Sequence, residues 1–390
     1  MIPLGIKSIH VIRAIQEIDS KGIPSDRESR RFALIFKGMK YPPKYVLSLA
    51  NKYINGRELD PSYFSGGRET NSFLRSLGFV VREISSVNPK SIKSIKYEKM
   101  RKKIRGSWVT TVLLRSNARF TQTDNDIRKK VLEDILNKTL RRTSGNGVIL
   151  FPGGYFNSGK KKANAIFNLA TNRLKKELRK INRNIVVCIG IDGRLGRGYP
   201  KDFPKDQLAI AVSRKGIIAI GRKFNPTEDE EDKISSASTY QSLENGKSRI
   251  FSLNGKRFFL AICYDTFGLK QLPNPGVNII LNAIHQFTPR CKCKGEICKC
   301  GAASGDVDFA RKGLAGASKV WNCPVFASVV FFNRNIPPRW PSGVRWNQGN
   351  KSVQKWKYKN NPIRTEDEFE IPIKEGVASV RIYDTSRSLC

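Results

Sequence analysis

Apolar residues recur at helical spacing through residues 5–20, and "RFALIFKG" at 31–38 is a short apolar run that reads as a strand. In "YPPKYVLSLANKYING", Pro43 suits the first turn of a helix. Leu47, Leu49, Ala50 and Tyr53 give that helix an apolar side, and Gly56 can end it. "FSGGRETNSFLRSLGFVV" reads as a glycine turn, a second helix stopped at Gly78 and a strand from Phe79. Together these predict a compact α+β unit over residues 1–84.

The pattern then changes. Residues 85–105, "SSVNPKSIKSIKYEKMRKKIR", are polar and basic, as expected of an exposed linker or arm. Beyond them apolar strands alternate with helical stretches: "WVTTVLL", a helix around 125–142, "GVILFP", a helix around 161–182, and "NIVVCIGI". Two hairpin-like pairs follow, "LAIAVSRKGIIAIGRKF" and "RIFSLNGKRFFLAICYD". Last come "VNIILNAI", a helix near 307–321, and "PVFASVVFF". Residues 106–390 therefore read as a layered α/β domain, with no internal repeat.

Charge adds a partner to this picture. The 390 residues carry 71 Lys and Arg against 33 Asp and Glu, a formal net charge of +38. Residues 1–105 hold 22 basic and 9 acidic side chains, and the rest hold 49 and 24, so no single basic tail explains the surplus. Such an excess on a folded chain favours a polyanion, most simply double-stranded DNA; the competing explanation is a general solubility bias. No segment approaches the ~20 apolar residues of a membrane span, and no basic amphipathic anchor helix is present. "MIPLGIKSIH" lacks the charged start and apolar core of a signal peptide, so a cytoplasmic protein without a membrane partner is expected.

Lys40, Lys44, Lys52, Arg68 and Arg75 lie on or beside the two short helices of the first unit, and are candidate phosphate contacts as well as a candidate solvated face. The stretch "KYPPKYVLSLANKYINGRELDPSYFSGGRETNSFLRSLGF" resembles the N-terminal head domain of McrA-like, modification-dependent restriction endonucleases and related bacterial defence proteins. That resemblance implies a DNA-associated module.

In the second unit, "GYFNSGKK" matches the first positions of a phosphate-binding loop. Lys161 stands where that motif needs Ser or Thr, and Tyr155 and Phe156 would crowd the phosphates, which argues against nucleotide hydrolysis. The motifs "ILFPGGYF", "RKFNPT", "ICYD" and "GVNIILNAI" are similar, in order and approximate spacing, to those of the nitrilase, or carbon–nitrogen hydrolase, superfamily. "FARKGLAGASKVWNCPVFASVVFFNR" and "WPSGV" resemble its closing elements. The resemblance implies an αββα sandwich and a Glu–Lys–Cys site. By position, Cys263 would be the nucleophile and Lys223 the cation that stabilises the oxyanion.

The expected base is missing, because Gly153 stands immediately after "FP" where the family has glutamate. His285, at the end of "VNIILNA", is one candidate replacement, and the acidic run "TEDEED" at 227–232 is another. A histidine satisfied by backbone and a solvated acidic loop are the plainer readings of each. Elsewhere, "CKCKGEICKCG" places Cys291, Cys293, Cys298 and Cys300 as C-x-C-x4-C-x-C within an insertion at 290–301. This pattern suits a structural, tetrahedral zinc ion better than two disulfides in a reducing compartment.

The expected protein is a DNA-associated head joined to a nitrilase-like domain, acting in bacterial antiviral defence or modified-DNA sensing. It would form homo-oligomers through the second domain or work with partner defence proteins. The alternatives are an inactive DNA-binding scaffold and a metabolic amidase with an incidentally basic surface.

Overall fold

The computed structural model describes residues 2–3, 5–29, 31–36, 39–65, 67–83, 103–116, 124–194, 204–288, 305–337, 340–347, 349–350, 352–354, 356, 363–374 and 376–386. The basic stretch expected as a linker lies almost wholly outside the described residues, and so do Cys291, Cys293, Cys298 and Cys300. The chain forms two units, Met1–Lys99 and Met100–Cys390. No helix among the described residues is long and apolar enough to cross a membrane.

In the first unit, α1 (Ser8–Lys21) buries Val11, Ala14, Ile15 and Ile18, one face at helical spacing. It is followed by β1 (Phe32–Phe36) and β2 (Met39–Tyr41), the second a short strand that the apolar pattern did not reveal. Helix α2 (Pro43–Asn55) starts on Pro43 and ends at Gly56, whose φ of 72° is the left-handed conformation that glycine adopts at little cost. Helix α3 (Arg68–Ser76) and β3 (Val80–Glu83) complete the unit. Strand β1 pairs antiparallel with both β2 and β3, and the two long helices pack with this sheet around Leu34, Leu47 and Leu74.

The second unit runs β4 (Trp108–Ser116), α4 (Asn125–Arg142), β5 (Gly147–Leu150), β6 (Phe156–Asn157), α5 (Phe167–Arg179) and β7 (Ile185–Gly193). It continues with β8 (Asp206–Ser213), β9 (Gly216–Arg222), β10 (Ile250–Leu253), β11 (Lys256–Ile262), α6 (Asp265–Gly268) and β12 (Ile279–Phe287). After α7 (Gly305–Asp308), a π-helical segment at Phe309–Ala315 leads into α8 (Gly316–Trp321) and β13 (Val325–Phe332). Then come β14 (Gly343–Val344), β15 (Asp367–Ile373) and β16 (Gly376–Asp384). The expected helix at 161–182 is shorter than its pattern, with a 3-10 turn at Ala163–Ile166 before α5.

Strand β4 is where the sheet forks. It pairs with β16 along its whole length, with β5 through Trp108–Thr111 and with β13 through Leu113–Ser116. One branch continues β5-β7-β8-β9 and the other β13-β12-β11-β10. Strand alternation then assigns the layers. On β5, Val148 and Leu150 meet Leu260 and Leu281 of the other branch, whereas Ile149 packs with Leu136 of α4 and Leu174 of α5. On β11, Phe258, Leu260 and Ile262 face the inter-sheet core, whereas Phe259 and Ala261 face Leu314 and Trp321. The result is helices, sheet, sheet, helices: the αββα sandwich, with strands buried on both faces and therefore apolar almost throughout.

The packing tolerates little growth where the fork begins. A Cβ on Gly147 would sit 2.1 Å from the Trp108 ring, on the neighbouring strand. Gly147→Ala should therefore destabilise the second unit by about 1–3 kcal/mol, as overpacking does. Urea unfolding followed by tryptophan fluorescence measures this, and an unchanged midpoint would show that the ring moves aside freely.

Candidate functional site

Strand β11 ends at Ile262, and α6 begins at Asp265. Cys263 lies in the sharp turn between them at φ 50°, a left-handed conformation rare for a residue with a side chain. Three groups hold it there. The Cys263 amide donates to Ala283 O at 3.1 Å, Asn282 Nδ2 donates to Cys263 O at 3.0 Å, and Asp265 Oδ2 accepts the Ile262 amide at 3.0 Å. The strained turn projects the thiol into a cleft of about 1300 Å³.

His285 stands on β12, where the pairing with β13 shifts register between Ala283 and Gln286, and its imidazole lines the same cleft as Cys263, near enough for the sulfur to act on its charge. Its Nε2 lies 2.8 Å from Asp192 Oδ1, near the end of β7. Burial pulls the His285 pKa down, but the Asp192 carboxylate and the Cys263 sulfur outweigh it and carry it up to about 10. The glycine pair makes room for both groups. A Cβ on Gly153 would fall 2.8 Å from His285 Nδ1 and 2.9 Å from Ala283 O, and one on Gly154 would fall 2.7 Å from Asp192 Oδ2. His285 thus occupies the space that a side chain at position 153 would enter.

Lys223 follows β9 with its side chain fully buried, and its Nζ donates to Glu230 Oε2 at 2.5 Å. The ammonium lies 5.9 Å from the ring centroid of Tyr264, the residue after Cys263. Burial raises the Glu230 carboxyl, but Lys223 and the Thr227 amide prevail and hold it below its ordinary value. The acidic run is therefore divided. Glu230 turns inward, while Glu228 and Asp229 are exposed and line the cleft.

The phosphate-loop look-alike is part of the same cleft. Gly154 sits against Asp192, and Tyr155 and Phe156 are buried in the core beside α4 and α5, not wrapped round a ligand. No motif in the sequence marks Asp192; its pairing with His285, far away in sequence, appears only on folding. Glu230 had a local signal. Thr227 and Glu230 form the T-x-x-E capping box that turns one carboxylate of an acidic run back toward the chain.

The basic candidates of the first unit separate by their partners. Lys52 Nζ donates to Glu17 Oε1 at 2.9 Å, and Arg75 donates to Val81 O at 2.8 Å, so both are engaged within the unit. Lys40 is exposed on β2, and Lys44 Nζ lies 5.3 Å from the Phe64 ring centroid. Arg68 begins α3, and its side chain lies outside the described residues.

The family model of the ScoMcrA-like N-terminal head domain matches residues 5–83. No curated protein matches the chain significantly. Among solved structures, an amidase from Nesterenkonia sp. aligns at 13% identity over 72% of this chain and 92% of its own, with a TM-score of 0.39. A double mutant of the amidase from Nesterenkonia sp. AN1 in complex with acrylamide aligns at 11% identity over 72% and 92%, with a TM-score of 0.41. A mutant of the Nesterenkonia AN1 amidase, from the nitrilase superfamily, aligns at 11% over 57% and 77%, with a TM-score of 0.36. Alignments this loose carry neither residues nor activity across, and the site rests on its own geometry.

The His285–Asp192 pair makes a stability claim with a definite sign. An imidazole raised from its ordinary 6.5 to about 10 stabilises the fold fully below pH 6.5 and loses that contribution as pH rises toward 10. Unfolding free energies of wild type and Asp192→Asn should therefore converge across that window, with a limiting slope of about 1.4 kcal/mol per pH unit. Parallel pH profiles for the two proteins would mean that the pair carries no charge.

Proposed function

We propose that the second unit is a cysteine hydrolase of carbon–nitrogen bonds that uses His285 in place of the missing glutamate. The observation that carries this reading is the run Cys263, His285, Asp192, with the imidazole seated over Gly153. A nucleophile, a base within reach and a carboxylate orienting that base form the arrangement nucleophilic acyl transfer requires.

In this mechanism the Cys263 thiolate attacks the amide carbonyl carbon, and the carbonyl oxygen takes up the negative charge. Lys223, buried and held by Glu230 beside Tyr264, supplies positive charge near that oxyanion. The His285 imidazolium gives its proton to the leaving nitrogen, the C–N bond breaks, and a thioester remains on Cys263. His285 then removes a proton from water as the water attacks the thioester. The carboxylic acid product leaves and the thiolate is regenerated, with Asp192 keeping the imidazole in one orientation.

The cleft's own charge narrows the substrate. Glu228 and Asp229 stand exposed on its lining, where they repel phosphates. A neutral or cationic amide suits the site better than a nucleic acid. The polyanion belongs to the rest of the chain, and the head-domain match with its basic surroundings supports DNA association there. A role in bacterial defence or modified-DNA sensing, with DNA engagement governing the hydrolase, rests on the resemblance to McrA-like heads.

Site-resolved alkylation by iodoacetamide tests the assignment. Cys188 and Cys323 are buried and their thiols are pushed up by burial, so among the described cysteines Cys263 should label alone. His285→Gln should slow labelling of Cys263 about tenfold or more at neutral pH. Gly153→Glu should also slow it, because the new side chain displaces the imidazole and does not restore a base. Labelling unaffected by either change would mean that Cys263 works without His285 and would favour a scaffold role.

The zinc site at Cys291, Cys293, Cys298 and Cys300 is proposed from the spacing of the four thiols. Metal analysis should find one zinc per chain, lost on Cys293→Ser. Stoichiometric disulfides without metal would overturn it.

A further inference from the structure

The first unit carries a cleft of about 510 Å³, within the roughly 300–1,000 Å³ typical of small-ligand sites. Arg27, Arg31, Lys44, Phe32, Tyr45 and Asn71 line it, and prolines 42, 43 and 61 give it apolar walls. Its cations are set against rings: Arg27 lies 6.0 Å from the Tyr45 centroid, Arg31 lies 5.4 Å from that of Phe32, and Lys44 stands by Phe64. Aromatic faces interleaved with basic side chains are what a stacked base and its phosphate require.

The arginines are not tied up by their own carboxylates. Half-buried Arg27 meets Asp26 at 3.4 Å and exposed Arg31 meets Glu83 at 3.0 Å; both carboxylates are exposed, so a phosphate can displace them. Asp26 and Glu28 share the lining, which makes the cleft less cationic than a bare phosphate site and favours a ligand that also brings hydrogen-bond donors.

Asn71 supplies the specific observation. Its side chain is almost wholly buried at 2% exposure, and its Oδ1 has no hydrogen-bond partner among the described residues. A buried acceptor left unpaired is costly and calls for a donor. The exocyclic amine of cytosine or adenine is such a donor. In duplex DNA one N–H of that amine still faces the major groove, but the base is stacked and paired, so to enter a concave site the whole nucleotide must leave the helix.

We propose that this cleft receives one unpaired, amine-bearing nucleotide of a DNA strand, its base among Tyr45, Phe32 and the prolines and its phosphate on Arg27, Arg31 and Lys44. The proposal rests on the nucleic-acid reading of the head and adds the site and the ligand class.

Fluorescence anisotropy on the full chain separates the two claims. Three labelled DNA probes are needed: a fully paired duplex, the same duplex with one bulged cytosine, and the same with a bulged abasic site. The cytosine bulge should bind about tenfold or more tighter than either control, the equivalent of one stacked base. Arg27→Gln and Lys44→Gln, surface changes that spare the core, should erase that preference, whereas Lys40→Gln should weaken all three probes alike. Equal affinity for the three probes would overturn the cleft while leaving DNA binding intact. A cytosine preference that survives in both cleft variants would place the nucleotide elsewhere and overturn it as well. Binding to no probe at low salt would remove the nucleic-acid reading itself.

Discussion

A single buried carboxylate, that of Asp265, holds the loop of Lys223 and the turn of Cys263 in register. Its Oδ1 accepts the amides of Phe224 and Asn225 at 2.9 and 3.0 Å, and its Oδ2 accepts the Ile262 amide and Arg249 Nη1, each at 3.0 Å. The first two amides follow Lys223 and the third precedes Cys263, so one side chain joins the loop of the cation to the turn of the thiol. Arg249 extends the tie by donating to the carbonyl of Arg222, and its guanidinium lies 4.8 Å from the Phe224 ring centroid and 5.4 Å from that of Phe259. Removing one partner of such a pair leaves a buried charge uncompensated and costs about 3–5 kcal/mol. The strain at Cys263, φ 50°, persists because this network over-determines the turn.

Around that tie the site is assembled from two ion pairs contributed by four different stretches of chain. His285 pairs with Asp192 and Lys223 with Glu230; Asp192, His285 and Glu230 line the cleft, and Lys223 is buried behind Glu230. Each cation meets its carboxylate at hydrogen-bond distance, so the two pairs add little net charge, while on the exposed lining Glu228 and Asp229 outnumber Lys205. In a chain of net charge +38 this is a local reversal of sign.

Much of the fold was legible because burial on both faces leaves an apolar run that needs no partner to be noticed. The span Asn125–Arg142 of α4 and the hairpins β8-β9 and β10-β11 follow directly from their patterns. The closing hairpin β15-β16 was passed over, although "DEFEIPI" alternates buried and exposed residues as a one-sided strand should. The π-helical turns within the last helix had no periodicity to announce them. At the site, the chain order of motifs singled out Cys263 and Lys223 as candidates, but contact between β7 and β12 is a property of the folded sandwich. His285 stood out in the sequence as a candidate base, whereas Asp192 read as an ordinary polar residue near the end of an apolar strand.

Gly153 shows why a vacancy in a motif is weak ground for calling a site dead. Read along the chain, glycine for glutamate is a deletion of the base. In three dimensions the missing Cβ leaves room for the imidazole of His285, since even one carbon at 153 would press on that ring and on the Ala283 carbonyl. The replacement reaches the thiol from a strand more than a hundred residues downstream, and Gly154 makes the same allowance for its carboxylate partner. The two glycines, the register shift on β12 and the acid on β7 each look like an irregularity alone, and they are consistent only as parts of one arrangement. In the proposed mechanism the proton carrier is His285 of β12, and Cys263 and Lys223 supply the thiol and the buried ammonium.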